Sequence, residues 1–429
     1  MFKNQLTFNL LLIGILLTGC VKHALDGNRE ERDIRIKKLQ KAKVTIPFEL
    51  INNLIVVPVR LNDSNELKFV LDTGAGQTVI TELAVDQEFT IKYQRDIRLN
   101  GLGTTGSIPA LLSQGNEIFM EGIEGDNHVI VFILEGMFNL SHYMGTQING
   151  LLGADIFENF IVEVDYDRKR LYLHDPDAFE EEYDRKKKDD SWTHIPAKVR
   201  RGKLYLEVEI TQNDDSKLNT TLLVDSGASS SIFLYPNEDM GVLLPEHYIE
   251  AYLGTGLSGE IHGKLGRIKK LKVGDTEIEN PIIGYPNIEA VEYAIRNDNR
   301  GGSIGADILK RFDIIYNYRN EEVLVRSNRK LNDPFRYNRS GIEVITPVLD
   351  LPYYVVSEVR PNSPADIAGI QSDDIITEIN YKHVFQYSLD RVLEILYSLE
   401  RDRMTVQVMR GEEELDFKIN MNDAIQLKD

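Results

Sequence analysis

Short apolar runs with a two-residue beat dominate the chain. LIVVPVRL (54–61), HVIVFIL (128–134) and LYLEVEI (204–210) alternate or cluster β-branched residues and are bounded by Asn, Asp and Gly. That is the pattern of half-buried strands joined by tight turns. A helical beat is confined to a few places. In SLDRVLEILYSL, Val392, Ile395, Leu396 and Leu399 fall on one helix face, and PADIAGI (364–370) reads as a shorter helix. One more short helix is expected after each of two Gly-Ala-Asp triplets. Asp155 and Asp307 would stand at its N-terminus, where a carboxylate caps free N–H groups, and are read as structural.

The pattern also repeats. LKFVLDTGAGQTVI (67–80) has a partner in TTLLVDSGASSSIF (220–233), so Asp72 and Asp225 stand in equivalent settings, 153 residues apart. A Gly-rich run follows each Asp at the same distance: GLGTTGS from Gly101 and GTGLSGE from Gly254. Further on, NGLLGADIFENFIVEVDYDRKRLYLH from Asn149 matches GGSIGADILKRFDIIYNYRNEEVLVR from Gly301. Upstream, TIPFELINNLIVVPVRL resembles HIPAKVRRGKLYLEVEI, with a slightly longer hairpin loop in the second copy. The stretch from about residue 43 to 328 is therefore a duplicated unit, one lobe per copy. Its linker, FEEEYDRKKKDD, reads as a solvated charge run. The boundaries are 43–180 for the first lobe, 192–330 for the second and 341–424 for a third, β-rich unit.

Composition removes several function classes. A formal net charge of −19 over 429 residues disfavours nucleic acid and a polybasic membrane patch. The single cysteine, Cys20, excludes an intramolecular disulfide and a Cys-based zinc site. The eight His form no metal-binding spacing, and no Gly-rich stretch ends as a phosphate loop does. No cofactor and no metal are expected.

The N-terminus reads as an address. Lys3 precedes an apolar run from Phe8 to Leu17, the size of a signal-peptide core and short for a bilayer span. It ends in Leu17-Thr18-Gly19-Cys20, which resembles a bacterial lipobox. The resemblance implies a signal peptide over 1–19, acylation of Cys20, a charged tether over 20–42 and lipid anchoring in a bacterial cell envelope, on the periplasmic or cell-surface side.

A lone Asp-Thr-Gly is an ordinary turn after a strand. Two copies in register suggest a symmetric site. Carboxylates brought together on a pseudo-twofold axis share one proton and titrate as a unit. One then takes a proton from water while the other donates to the carbonyl under attack. Gly74 and Gly227 let backbone N–H groups approach, and Thr73 and Ser226 supply hydroxyls that could tie the loops together. DTGAGQTVI and DSGASSSIF resemble the aspartic proteases of the pepsin and retropepsin superfamily, whose Asp pair is a known example of shared-proton tuning. GLLGADIF and GSIGADIL resemble that family's apolar-apolar-Gly segment, with Ser303 a departure.

The resemblance covers about two thirds of the chain. It implies a mainly β, two-lobed acid-protease-like β-barrel fold, an endopeptidase with catalytic Asp72 and Asp225, and protein or peptide substrates. Gly101, Leu102, Gly103, Gly254, Thr255 and Gly256 would belong to flaps over the substrate. Both halves lie in one chain, so the active site is expected in a monomer. Ala75 and Ala228 stand where pepsin-like enzymes carry a hydroxyl, which predicts a working pH nearer neutral. Two other readings compete: a non-catalytic peptide-binding lipoprotein on the same scaffold, and a glycosidase using the two Asp.

The third unit resembles a bacterial PDZ domain, an α+β fold, on the segment Ser363 to Ile375. The resemblance implies capture of a peptide C-terminus as an added strand, with Leu351, Pro352, Tyr353 and Tyr354 near the carboxylate-holding loop. That loop has no Gly-rich run, and the usual Gly-Asp and Asn-Gly turns are Asp373-Asp374 and Asn380-Tyr381. Peptide binding and simple packing on the lobes both stand as readings.

Overall fold

The computed structural model describes residues 34–36, 42–83, 90–92, 94–133, 140–236, 241–349 and 351–427. Cys20, the signal segment and most of the expected tether lie outside these residues. One piece of that tether, Ile34–Ile36, adds an edge strand to the first lobe, in register with Ile123–Gly125. The alternation of Ile with Arg there suits an edge strand, and reading the whole stretch as tether overlooked it.

In the first lobe, strands Leu54–Leu61, Leu67–Leu71, Gly150–Leu152, Thr78–Ile80, Ile123–Ile133 and Ile108–Met120 close into a barrel. The second lobe repeats its centre. Lys217–Val224 runs parallel to Gly302–Ile304, which pairs with Ile232–Leu234, then Ile282–Pro286 and Gly259–Arg267. The parallel pairs matter most for the site. The amide of Asp72 donates to Leu152 O and that of Asp225 to Ile304 O, both at 2.9 Å, so each Asp leaves its strand at a fixed point.

A sheet shared by the lobes joins Lys43–Pro47, Arg170–His174 and Ile161–Asp165 of the first copy to Phe312–Asn317, Glu322–Ser327 and Thr193–Arg200 of the second. Its central pairing sets Val162 opposite Tyr316, Glu163 opposite Ile315 and Val164 opposite Ile314. The largest apolar core runs through it, with Ile46, Val162, Leu171, Ile314 and Val323 all buried. The linker differs from expectation. It forms the helix Pro176–Lys187, started by an Asp175 cap that accepts from the amides of Asp177 and Ala178. Phe179 and Tyr183, four residues apart, bury one face against Trp192, Ile315 and Leu324.

The helices after Gly-Ala-Asp span Ala154–Asn159 and Ala306–Leu309, but their Asp side chains do not cap them. Asp155 accepts from the Thr78 amide at 3.1 Å, and Asp307 accepts from the Ser231 hydroxyl and pairs with Lys310. They pin the strand after each Asp72 or Asp225 loop instead.

The third unit is a sheet in the order Ile342–Ile345, Tyr354–Val359, Ile375–Ile379, Arg403–Arg410, Glu413–Asn420. The helices Pro364–Ala368 and Leu389–Leu396, capped by Ser363 and Ser388, accompany it. It docks on the first lobe, where the amide and hydroxyl of Thr346 both donate to His142 O, at 2.9 and 2.8 Å.

Candidate active site

The two Asp-containing loops meet at the junction of the lobes and are tied reciprocally. The Thr73 amide donates to Ser226 Oγ at 3.0 Å, and the Ser226 amide donates to Thr73 Oγ1 at 2.9 Å. Each hydroxyl then donates across to the strand of the other copy, Thr73 to Val224 O at 2.7 Å and Ser226 to Leu71 O at 2.8 Å. All four groups are buried, so every bond replaces one that water would otherwise supply. The result is one rigid floor made of two equivalent halves.

Both carboxylates lie buried on this floor. Asp72 Oδ1 accepts from the amides of Gly74 and Ala75, at 2.7 and 3.2 Å. Each Gly sits against the opposite Asp: a methyl on Gly227 would lie 2.3 Å from the Asp72 carboxyl carbon, and one on Gly74 would lie 2.8 Å from Asp225 Oδ1. No side chain fits at either place. Burial raises the affinity of both carboxyls for protons. Asp72 is held well above the ordinary Asp value by burial and then by the charge of Asp225. Asp225 is also raised by burial, to about 6, against the pull of Arg300 and Lys203. Asp72 Oδ2 and Asp225 Oδ1 have no protein hydrogen-bond partner. A pair that holds one proton and keeps two free oxygens can act as acid and base on one bound water.

The residues expected in the flaps fall in one hairpin of each lobe. Gly101, Leu102 and Gly103 lie between strands Gln94–Leu99 and Ile108–Met120, and Gly254, Thr255 and Gly256 end strand Tyr248–Gly256. The two tips meet. The Gly101 amide donates to Ser258 Oγ at 3.1 Å, the Ser258 amide to Leu102 O at 2.9 Å, and the Thr105 amide to Ser258 O at 2.8 Å. Gly103 has φ +124°, and an added methyl would lie 2.3 Å from the Ser258 carbonyl. Each tip sends a leucine into the other lobe. Leu102 packs with Tyr205, Tyr235 and Val291 of the second copy, and Leu257 with Leu99, Ile108 and Tyr143 of the first.

Two residues that the sequence reading did not single out stand beside the dyad. Lys203 and Arg300 are buried, and their charges act on Asp225. Burial pushes the Lys203 ammonium down to about 8, with Asp298 opposing. Aligning the copies gives a signal that could have found them, because Lys203 falls where the first copy has Leu54, and Arg300 where it has Ile148.

In the third unit, Leu351 and Tyr353 are exposed in the turn before Tyr354, with Pro352 between them. Tyr354 is buried and donates its hydroxyl to Tyr387 O at 2.7 Å. Its strand is paired on both edges, so no peptide can add there. The sheet has two unpaired edges, one on Glu413–Asn420 and the other on Ile342–Ile345. A cavity of about 600 Å³ is lined by Glu343 and Val344 of that strand, Leu393 and Tyr397 of the neighbouring helix region, and Ala251 and Tyr252 of the second flap hairpin. No cluster of His, Cys, Asp and Glu able to hold a metal occurs among the described residues, and no described helix is long and apolar enough to cross a membrane.

A family profile described as aspartyl protease matches residues 57–156, and one described as PDZ domain matches residues 355–410. The chain thus carries an aspartyl protease domain, which includes Asp72, and a PDZ domain. It is similar to a probable CtpA-like serine protease of Staphylococcus epidermidis, 36% identical over 73 residues, or 17% of this chain and 15% of that protein. The corresponding protein of Staphylococcus aureus is 38% identical over 65 residues, 15% of this chain and 13% of that one. The chain spans about 15% of the length of these curated relatives, and a 73-residue match is too short to include both Asp loops. Among solved structures, an aspartic proteinase from Irpex lacteus aligns with TM-score 0.40 and 11% identity, over 68% of this chain and 99% of that one. Conglutin gamma from lupine seeds aligns with TM-score 0.43 and 10% identity, over 67% and 96%.

Proposed function

We propose that the chain is an aspartic endopeptidase whose site forms within one molecule. The observation that carries this reading is the reciprocal Thr73–Ser226 network, which holds Asp72 and Asp225 buried and side by side. The ionised member of the pair takes a proton from water as the water oxygen attacks the scissile carbonyl. The protonated member donates to the carbonyl oxygen. As the C–N bond then breaks, the protonated member gives its proton to the leaving nitrogen and the ionised member takes one from a hydroxyl of the tetrahedral intermediate, so the pair again holds one shared proton. The closed flaps exclude bulk water and hold the peptide extended against the floor. The PDZ unit binds or presents peptide segments at the open edge of Ile342–Ile345, beside the second flap hairpin. Lipid attachment at Cys20 would hold the enzyme at an envelope membrane.

The test uses the full chain on a peptide library, with and without a statine-type inhibitor, beside Asp72→Asn and Asp225→Asn. Wild type should cleave and be inhibited, and each variant should lose at least about 100-fold in rate. Cleavage that survives in both variants would sink the reading.

A further inference from the structure

Four arginines are buried among the described residues, and three have their hydrogen bonds met. Arg311 donates to the carbonyls of Asp307, Lys330, Leu331 and Asp333. Arg339 donates to Asn422 O and Ser398 O, and Arg267 to Asn280 O and Phe335 O. Arg300 is 3% exposed, yet none of its three guanidinium nitrogens has a partner. Lys203 Nζ, 1% exposed, and the buried Tyr235 hydroxyl are unpartnered as well. Arg300 lies over the Tyr235 ring, 5.3 Å from its centroid. Tyr235 packs with Tyr205 under the flap leucine Leu102. Unpaired donors, two of them cationic, are thus gathered on the second-lobe side of the dyad. A buried guanidinium that makes no hydrogen bond is costly, and its flat fork matches a carboxylate. The first lobe has Leu54 and Ile148 where the second has Lys203 and Arg300, so the two cations belong to one side of the cleft.

Besides the Asp pair, Asp298 lies nearby. Asp298 keeps Oδ1 3.8 Å from Arg201 and leaves Oδ2 unpartnered. It offsets charge but makes no hydrogen bond to Arg300 or Lys203. The donors stay unmet after the internal charges are counted.

We propose that Arg300, Lys203 and Tyr235 form a subsite that binds a carboxylate of the substrate, so that the enzyme selects peptides with Asp or Glu on the second-lobe side of the scissile bond. This rests on the protease reading above. An acidic side chain entering the subsite displaces Leu102 and replaces its apolar contact by bidentate bonds to Arg300. Equivalent asymmetry is absent from the first-lobe side, where Leu54 and Ile148 favour an apolar residue.

The test has a cleavage arm and a binding arm, both on the full chain. A randomised peptide library is digested by wild type, and the same library is retained on immobilised Asp72→Asn chain. Cleaved or retained sequences are then remade with each Glu or Asp as the amide, and with a free or amidated C-terminus. One acidic position should be enriched, and its Glu→Gln change should lower kcat/KM or retention by about 10- to 100-fold. Arg300→Met, and separately Lys203→Leu, should bring the Glu and Gln peptides to within about twofold of each other, a loss of the discrimination that cationic donors supply. Dependence on a free C-terminus instead would place the terminal carboxylate in the subsite. Retention with acid preference but no cleavage sinks the protease reading and leaves the subsite standing. The proposal is overturned if neither arm favours an acid. It is equally overturned if Arg300→Met shifts the pH profile of both peptides alike and leaves their ratio unchanged, which would make the cations mere tuners of the dyad.

Discussion

Ala75 and Ala228 carry much of the chemistry by what they lack. Both are buried beside the paired carboxyls, and neither side chain can donate to the ionised form. With both carboxyls held above the ordinary Asp value, the doubly protonated, inactive form persists to higher pH, and the acidic limb of the rate profile moves upward. Serine at these places would stabilise the ionised pair and lower its first proton loss. Ala75→Ser with Ala228→Ser should therefore move that limb about one pH unit toward acid, read from kcat/KM against pH. An unmoved limb would show that burial alone sets it. The dyad itself was legible in the sequence because the copy preserved everything around it. Lys203 and Arg300 were not, since an isolated Lys or Arg reads as surface. Only their alignment with Leu54 and Ile148 marks them as charges in core positions.

At the level of elements, the flaps are held by contacts no single hairpin contains. Leu102 and Leu257 each bury in the opposite lobe, and Ser258 joins the tips through four hydrogen bonds with Gly101, Leu102 and Thr105. Truncating a buried Leu costs ~2–5 kcal/mol, here charged to local opening. Leu102→Ala should speed hydrogen exchange at the Thr105 and Ser258 amides by at least about tenfold and leave the strand Phe312–Asn317 unchanged. Equal exchange at the tips would mean that the crossed leucines do not hold them. The Gly runs announced hairpins, but the crossing depends on how the lobes face each other, which no local pattern encodes. The linker helix was hidden for another reason. Its charges outnumber Phe179 and Tyr183, and only their four-residue spacing betrays a buried face.

On the scale of the whole molecule, neither lobe finishes its own sheet. Strand Ile161–Asp165 of the first copy takes one of its two partners from the second. A fragment of residues 43–190 should leave that edge open and elute from size exclusion as oligomers or aggregate. A soluble monomer of that fragment would show that the shared sheet is dispensable. The PDZ unit, anchored through Thr346, should survive such cuts only with loss of its dock on the first lobe.

The central pairing of the shared sheet has a consequence for descent. Val162 faces Tyr316, the counterpart of Val164, and Val164 faces Ile314, the counterpart of Val162. The axis passes through Glu163 and its counterpart Ile315. Two identical halves meeting this way would set Glu163 against itself, a like-charge pair across strands. Once one gene encoded both halves, each could drift alone. One side of the axis carries an acid, paired with His174 and Lys186, while the other is apolar. The same freedom from twofold identity allows one wall of the cleft to be cationic, with Lys203 and Arg300, where the other has Leu54 and Ile148. Two halves free to differ within one chain thus give the proposed enzyme two unlike cleft walls, and with them a direction in which to read a substrate.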